Sequence, residues 1–456
     1  MRMDQAHRLS LATRYCLDIL AKDPGNFEAL NNLSNIFYVQ EKWPETQRIC
    51  EEIVKLYPEN TAAHVNLAHA LREDGKLRAA RERYEIALRL DPTDRGAHVG
   101  MIYILVLMGE DEAAQVHRRA AYEGAAARIP ATYGKDFRIP MLVLISGDGG
   151  DVPYKKLLNF HAFHVATLAV EFHDADAPLP PHRLVFNAVG DADRSPASLQ
   201  AAIRALARTS APVINSPAAV LATGRVANAA RLSRIPGVKT ARMALLPREL
   251  LTVPEADPSL PPALAAHGLA FPLLLRAPGF HAGLNFVRVE SPAELAAALP
   301  TLPGRELLAI EYFDTRKADG KVRKYRVMMI DGKLYPLHAA VSGQWKVHFF
   351  SAEMGDSPEH RAEDQAFLDD MPQVLGEKAM GALQAIQAEL ELDYGGIDFS
   401  LDADGNVLLF EANANMRVDR PKPGALWDYR RKPVERIFTA VLAMLRERAS
   451  SSSPGA

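Results

Sequence analysis

The sequence predicts a multidomain chain: all-α helical repeats, then a small α/β layer, then a larger α+β unit. Three observations carry that prediction. A 34-residue period runs through the first 125 residues, short apolar strands alternate with helical stretches from residue 139, and residues 393–416 read as a hairpin with one acidic face. The length agrees, because 456 residues exceed the roughly 250–300 that one core sustains. The expected boundaries are 1–128 for the repeats, 139–215 for the α/β layer and 216–447 for the larger unit, with a disordered tail at 448–456.

Composition narrows the function classes. Apolar residues make up 48% and charged residues 24%, the balance of a globular chain rather than a disordered one. A net charge of −3 gives no basic footprint for nucleic acid. Polar residues interrupt the first twenty positions, so no secretory apolar core is present. The apolar run 102–108 is far short of the roughly 20 residues a membrane-spanning helix needs. With only Cys16 and Cys50, no disulfide framework is indicated, and a reducing cytoplasm is the expected compartment.

The repeats come first. Pro24, Pro58 and Pro92 are 34 residues apart, as are Leu33, Leu67 and Met101. The pairs Glu41-Lys42, Gly75-Lys76 and Gly109-Glu110 keep that interval. Each proline stands where a helix must stop, because its ring and missing N–H cannot continue the ladder. A helix–turn–helix unit of this length cannot bury its apolar face alone, so about three must stack. The pattern resembles the tetratricopeptide repeat, with Glu41 in place of a turn glycine in the first unit. Such a stack offers a groove to a peptide or protein partner; a helical brace on the rest of the chain is the other reading. Cys16 and Cys50 hold equivalent helix positions as small core residues.

From 139 the period shortens. Residues 139–145 read as a strand, 146–153 as a Gly-rich loop, 154–170 as a helix and 184–189 as a strand. Ser195-Pro196 opens a further helix as N-cap and N1, and a last strand ends near Asn215. The alternation predicts a parallel sheet. Ligands are expected at its strand ends, near Gly147, Gly149, Gly150 and Asn187.

In 393–416, two β-rich runs flank Asp404-Gly405, a favoured two-residue turn. That turn sets Phe399 opposite Phe410, Asp398 opposite Glu411 and Gly396 opposite Asn413. Ile397, Phe399, Leu401, Leu408, Phe410 and Ala412 then share one face. Asp398, Ser400, Asp402, Glu411 and Asn413 share the other. Two carboxylates directly opposite each other are destabilising, and a divalent cation is the economical compensation. Residues 271–295 read as strand, loop, strand and helix start, with Ser291, Pro292 and Glu294 as a capping box. Gly279 and Gly283 let that loop's backbone approach a ligand closely.

The run GGIDF followed by LFEANAN resembles the metal-binding strand pair of the ATP-grasp superfamily, in its glutathione-synthetase and ribosomal-protein glutamate-ligase branches. The resemblance implies Asp398, Glu411 and Asn413 as ligands of Mg²⁺ or Mn²⁺, with Asn415 and Arg417 facing substrate. It implies that the loop carrying Gly279, His281 and Gly283 covers the phosphates of ATP. Arg225 and Arg276 stand where lysines are usual; a guanidinium can still contact phosphate bidentately. Glu311 and Tyr312 would lie beside adenine, Lys346 would join the cofactor contacts, and Arg326 would face the phosphates. Lys324 replaces an acidic residue two positions before Arg326, and Gly396 stands where the D-alanine ligase branch carries an arginine. His338 and His348 read first as structural.

The activity this resemblance implies is ATP- and Mg²⁺-dependent joining of a carboxylate to an amine. ATP would convert the acid to an acyl phosphate, and the amine would displace phosphate to form an amide or peptide bond. Arg326 and Arg417 would act at the reacting groups, and the repeats would present a peptide or partner protein. The alternative is a nucleotide-binding adaptor without turnover, which Arg225 and Arg276 favour. Phosphoryl transfer to a small molecule is a third reading.

Overall fold

The computed structural model describes residues 5–40, 42–130, 136–174, 176–252, 259–280, 283, 285–349, 352–421 and 424–451. The chain divides into two compact units, Met1–Ala125 and Ala126–Ala456.

The first unit is helical: α1 Gln5–Leu20, α2 Phe27–Val39, α3 Trp43–Leu56, α4 Thr61–Glu73, α5 Leu77–Leu90, α6 Arg95–Leu107 and α7 Asp111–Tyr122. The 34-residue period governs more than the prolines. Asn26, Asn60 and Asp94 each accept the backbone N–H three residues on, which satisfies one orphan donor of α2, α4 and α6. Gly75 and Gly109 take left-handed φ values of 78° and 77° and so end α4 and α6 without a Cβ penalty; the equivalent Glu41 lies outside the described residues. Cys16 and Cys50 are free and buried, as small core residues should be.

One large–small pairing fixes how the later repeats stack. Tyr84 on α5 is fully buried, and a Cβ on Gly100 of α6 would come within 2.2 Å of its ring. Gly100→Ala is expected to destabilise the repeats by about 1–3 kcal/mol, seen as a lower thermal midpoint in helical circular dichroism.

Among the described residues the second unit opens with five strands: β1 Ala127–Arg128, β2 Ile139–Ile145, β3 Phe163–Ala169, β4 Leu184–Asn187 and β5 Val213–Ile214. Their order is β1-β3-β2-β4-β5, parallel except for β1. The parallel sheet agrees with the sequence reading; two details do not. Of the stretch read as helix 154–170, Tyr154–Leu157 is α-helical, Phe163–Ala169 is a strand and Val170 opens a short 3-10 turn. A continuous apolar run suits a doubly buried strand as well as a buried helix, and periodicity cannot separate them. Ala127–Arg128, at the end of the 1–128 stretch, pairs with β3.

Nine further strands follow among the described residues: β6 Val238–Thr240, β7 Met243–Pro247, β8 Leu273–Arg276, β9 Phe286–Val289, β10 Glu306–Glu311, β11 Val322–Ile330, β12 Lys333–Ser342, β13 Tyr394–Leu401 and β14 Val407–Asn413. They form a sheet β7-β10-β8-β9 and a sheet β12-β11-β13-β14-β6. One face of the latter sets Val327, Met329, Ile397, Phe399 and Leu409 against Ala379, Leu383 and Ile386 of the helix Met371–Leu390. Each of the larger of these buried side chains is worth about 1.5–3 kcal/mol. On the other face Met328, Ile330, Leu337 and Tyr394 join a core with β2, β4 and the helix Arg431–Ser451. Along that same face the apolar residues give way to Lys324, Arg326, Asp398 and Glu411, so the charged site begins where this core ends. The helix runs through Ser451, and Ala449 is buried in that core. Residues 448–451 are therefore packed helix rather than tail, and 452–456 lie outside the described residues.

The β13–β14 hairpin keeps the expected register at one end and loses it at the other. Gly396 faces Asn413, and Asp398 faces Glu411. Beyond Asp398 a bulge intervenes, and Phe399 faces Leu409 rather than Phe410. The turn is longer than the two residues Asp404-Gly405. Asp402 accepts through its carboxylate from the N–H groups of Asp404 and Asn406 and from the Asn406 amide, an Asx-type closure. The bulge takes up the odd residue. Phe410 is consequently turned outward, 36% exposed, and Leu409 takes its place in the core. By contrast Asp331-Gly332 is a two-residue turn, with Ile330 opposite Lys333.

Candidate functional site

A row of side chains crosses four strands. His338 on β12 faces Arg326 on β11, Arg326 faces Asp398 on β13, and Asp398 faces Glu411 on β14. Asp398 accepts from Arg326 Nε and from Nη2 at 2.7 Å, and from Lys324 Nζ at 3.0 Å. Burial alone would raise its carboxyl; the Arg326 and Lys324 charges outweigh burial and hold it well below the usual carboxylate range. The like charges of Asp398 and Glu411, which the sequence alone assigns to a metal, already have cations of the chain beside them. His338 is buried against Phe349, with ring centroids 4.9 Å apart. Burial, then Arg326, depress its pKa and keep it neutral.

Glu411 accepts from Arg225 Nη2 at 2.8 Å and from Asn413 Nδ2 at 2.9 Å. Asn413 Oδ1 accepts from the Asn415 N–H at 3.0 Å. Arg225 is the first residue of the helix Arg225–Leu232 and also pairs with Asp193 at 2.7 Å. Burial works against its charge, but Glu411, Asp191 and Asp193 hold its pKa above the ordinary value. A cavity of about 20 Å³ opens beside Arg225, Asn228, Thr240, Glu411 and Asn413, room for a water-sized occupant.

Arg276 ends β8 and leans over Phe286, with 5.9 Å to the ring centroid. Its guanidinium donates to the Phe280 carbonyl. Burial lowers its pKa, and nearby Arg225 lowers it further. Among the described residues no carboxylate lies within ion-pair distance of Arg276. Glu411, Asp191 and Asp193 lie near enough to offset part of the Arg276 charge, as they do that of Arg225.

The described residues of the glycine loop are tied to arginines: the Phe280 carbonyl to Arg276 and the Gly279 carbonyl to Arg194. Gly279 and Gly283 take φ values of 79° and 73°. The Gly279 carbonyl accepts from Arg194 Nη1 at 2.9 Å, while Arg194 Nε donates to the Asp148 carbonyl at 2.6 Å. Arg194 thereby ties this loop to the Gly-rich loop after β2. Removing both bonds in Arg194→Ala is expected to raise amide hydrogen exchange over residues 277–280 about tenfold or more, since each bond contributes about 0.5–1.5 kcal/mol. Lys346 crosses Gly283, where a Cβ would come within 2.4 Å of Cε, and donates to the Phe286 carbonyl. His281 lies outside the described residues.

Glu311 and Tyr312 sit at the end of β10. Glu311 pairs with Arg242 at 2.6 Å, and the Arg242 hydrogen bond holds its carboxyl below the ordinary value. Tyr312 lies between Arg288, 4.2 Å from its ring, and Trp345. Arg417 is 60% exposed and pairs with Asp419. His348 is half-buried, and burial, then Lys324 and Arg326, lower its pKa.

Several expectations of the sequence change. Asn187 does not face a ligand: its amide donates to the Asn215 carbonyl at 3.0 Å and its carbonyl accepts from Val189 N–H, so it closes its own turn. Ser195 donates to the Gly149 carbonyl instead of capping the helix. No side chain fits at Gly396, where a Cβ would come within 2.8 Å of Met416 and 3.1 Å of the Val327 carbonyl. Sequence reasoning missed Asp193, Arg194 and the role of Lys324. Their only signal is charge clustered in DADR after β4 and the even spacing of Lys324 and Arg326 on one strand face.

No family model matches the chain, and no curated protein matches it. Solved structures do. The α+β region resembles ATP-grasp ligases, and the run α1–α7 resembles MamA. In particular, the VanG D-Ala:D-Ser ligase from Enterococcus faecalis is similar at 13% identity over 68% of this chain and 99% of that one, with a TM-score of 0.43. The ATP-grasp ligase PsnB, complexed with the precursor peptide PsnA2 and AMPPNP, is similar at 14% identity over 67% and 98%, with a TM-score of 0.38. A MamA structure from MSR-1 shares 24% identity over 26% of this chain, with a TM-score of 0.23. The chain spans 67% of that structure's length and 63% and 60% of two other MamA structures. No helix among the described residues is long and apolar enough to cross a membrane.

Proposed function

We propose that this chain is an ATP- and Mg²⁺-dependent carboxylate–amine ligase that works through an acyl phosphate. The observation that carries the reading is Arg276, a buried guanidinium with no carboxylate at ion-pair distance among the described residues, near Arg225 and the oxygen donors Glu411 and Asn413. A triphosphate would supply an oxygen partner for Arg276.

The donor set fits a hard divalent cation. Among the described residues no cage of three or more His, Cys, Asp or Glu side chains gathers. One or two carboxylates with an amide oxygen, completed by phosphate and water, is a Mg²⁺ pattern rather than an all-protein one. Glu411 and Asn413 would hold the ion, with Asp398 behind them. The bound ion would offset phosphate charge as it develops.

The remaining roles belong to the chain. Arg225 and Arg276 would hold phosphate oxygens, and Arg326 would face the transferred group. The loop of Gly279 and Gly283, with Lys346 across it, would keep water from the acyl phosphate. Glu311 and Tyr312 would border the base, and Arg417 would meet substrate. Residues 139–215 and 216–447 would act as separate layers of this machinery. The repeats 1–128 would present a peptide or partner through a groove of about 370 Å³ that touches Arg81, Glu85, Arg89, Met101, Leu105 and His117. A cytoplasmic setting suits the free thiols.

The test incubates the full chain with ATP, Mg²⁺ and a peptide and metabolite extract. ADP release together with a new amide product by mass spectrometry is the expected result; nucleotide binding without any product would favour the adaptor. The ion pair of Arg225 with Glu411 is the one observation on that second side, because it lets cation and carboxylate satisfy each other.

A further inference from the structure

We infer that Lys324 and Arg326 are fixed counter-charges on Asp398, so that the site takes one divalent ion, on Glu411 and Asn413, and none on Asp398. The inference rests on the nucleotide reading above and sharpens its metal set.

Four observations lead to it. Both carboxylate oxygens of Asp398 are engaged: Oδ2 accepts from Lys324 at 3.0 Å and from Arg326 at 2.7 Å, and Oδ1 accepts from Arg326 Nε. The Asp398 side chain is 5% exposed, whereas that of Glu411 is 25% exposed, and the Arg225 paired with Glu411 has a second carboxylate, Asp193 at 2.7 Å, to keep when an ion arrives. The cavity beside the row is lined by Glu411 and Asn413 but not by Asp398. A doubly charged ion on Asp398 would also stand against two cations, in a place where burial weakens screening.

Lys324 is the decisive residue of the two. Arg326 already forms a two-point contact with Asp398, which suffices to neutralise it. The ammonium of Lys324 adds a second positive charge on Oδ2, where an incoming ion would otherwise find an oxygen. The strand therefore carries a permanent monovalent charge in place of an exchangeable divalent one. Asp398 becomes a positioning residue that holds Arg326 and Lys324 toward the phosphates.

The experiment counts bound Mn²⁺ by electron paramagnetic resonance, with full-length protein and AMPPNP held equimolar. The wild type is expected to bind one Mn²⁺ per chain. Lys324→Glu, which removes the ammonium and adds an oxygen donor, is expected to bind two, and Lys324→Arg is expected to keep one. Two ions in the wild type would overturn the inference, as would a count in Lys324→Glu that stays at one while its circular dichroism matches wild type. The wild-type count decides the matter even if Lys324→Glu fails to fold. Calorimetry separates the underlying reading: absence of AMPPNP binding by the wild type overturns the nucleotide site and this inference together, whereas binding with two ions overturns this inference alone.

Discussion

Exchange of Glu411 for Gln is expected to lower Mg²⁺-dependent ADP release by about 100- to 1,000-fold, the scale of losing one preorganised electrostatic element of a phosphoryl-transfer site. The substitution keeps shape and an acceptor oxygen for Arg225 and Asn413, so it removes charge and little else. Arg225 retains Asp193 at 2.7 Å, which should hold the helix start in place. The change belongs in the Mg²⁺ dependence: saturation is expected to need far more ion, with the thermal midpoint nearly unmoved. Wild-type rates at wild-type Mg²⁺ concentrations would remove Glu411 from the site.

Asp398→Asn is expected to act differently, through stability. It leaves Arg326 and Lys324 facing a neutral amide, with side-chain exposures of only 17% and 16%. Breaking a buried pair by removing one partner costs about 3–5 kcal/mol, read as a lower urea midpoint. The pH dependence has a definite sign. The folded pKa of Asp398 lies below its unfolded value of about 3.9, because Arg326 and Lys324 overcome burial. Its stabilisation is therefore complete above that unfolded value and is lost as pH falls toward the folded one. The stability gap between wild type and Asp398→Asn should be flat from about pH 5 to 8 and narrow below about pH 4. A gap that stayed constant down to the acid transition would show that Asp398 is not ion-paired in solution.

The repeats were legible because their punctuation is local: prolines, turn glycines and the caps Asn26, Asn60 and Asp94 all recur at one interval. Strand β3 was not, since an unbroken apolar run carries no period. The facing of Asp398 and Glu411 followed from two-residue alternation. The turn beyond them did not, because the Asp402 side chain competes for backbone N–H groups that a tighter turn would leave elsewhere. Least visible were the counter-charges. Lys324 reaches Asp398 across 74 residues and Arg225 reaches Glu411 across 186, and no local pattern links positions so far apart. The acidic face could be read from one hairpin, but its neutrality is a property of three separate segments.

The bulge after Asp398 also divides the hairpin mechanically. On its inner side, pairing is fixed by Gly396, whose strand neighbours leave no room for a side chain. On its outer side, one residue of slack is stored. A single-residue deletion in the tip at 402–406 can be absorbed by erasing the bulge, which would return Phe410 to a place opposite Phe399 while Asp398 and Glu411 keep theirs. The tip is thus an expansion joint: variation in its length is taken up before it reaches the charged end.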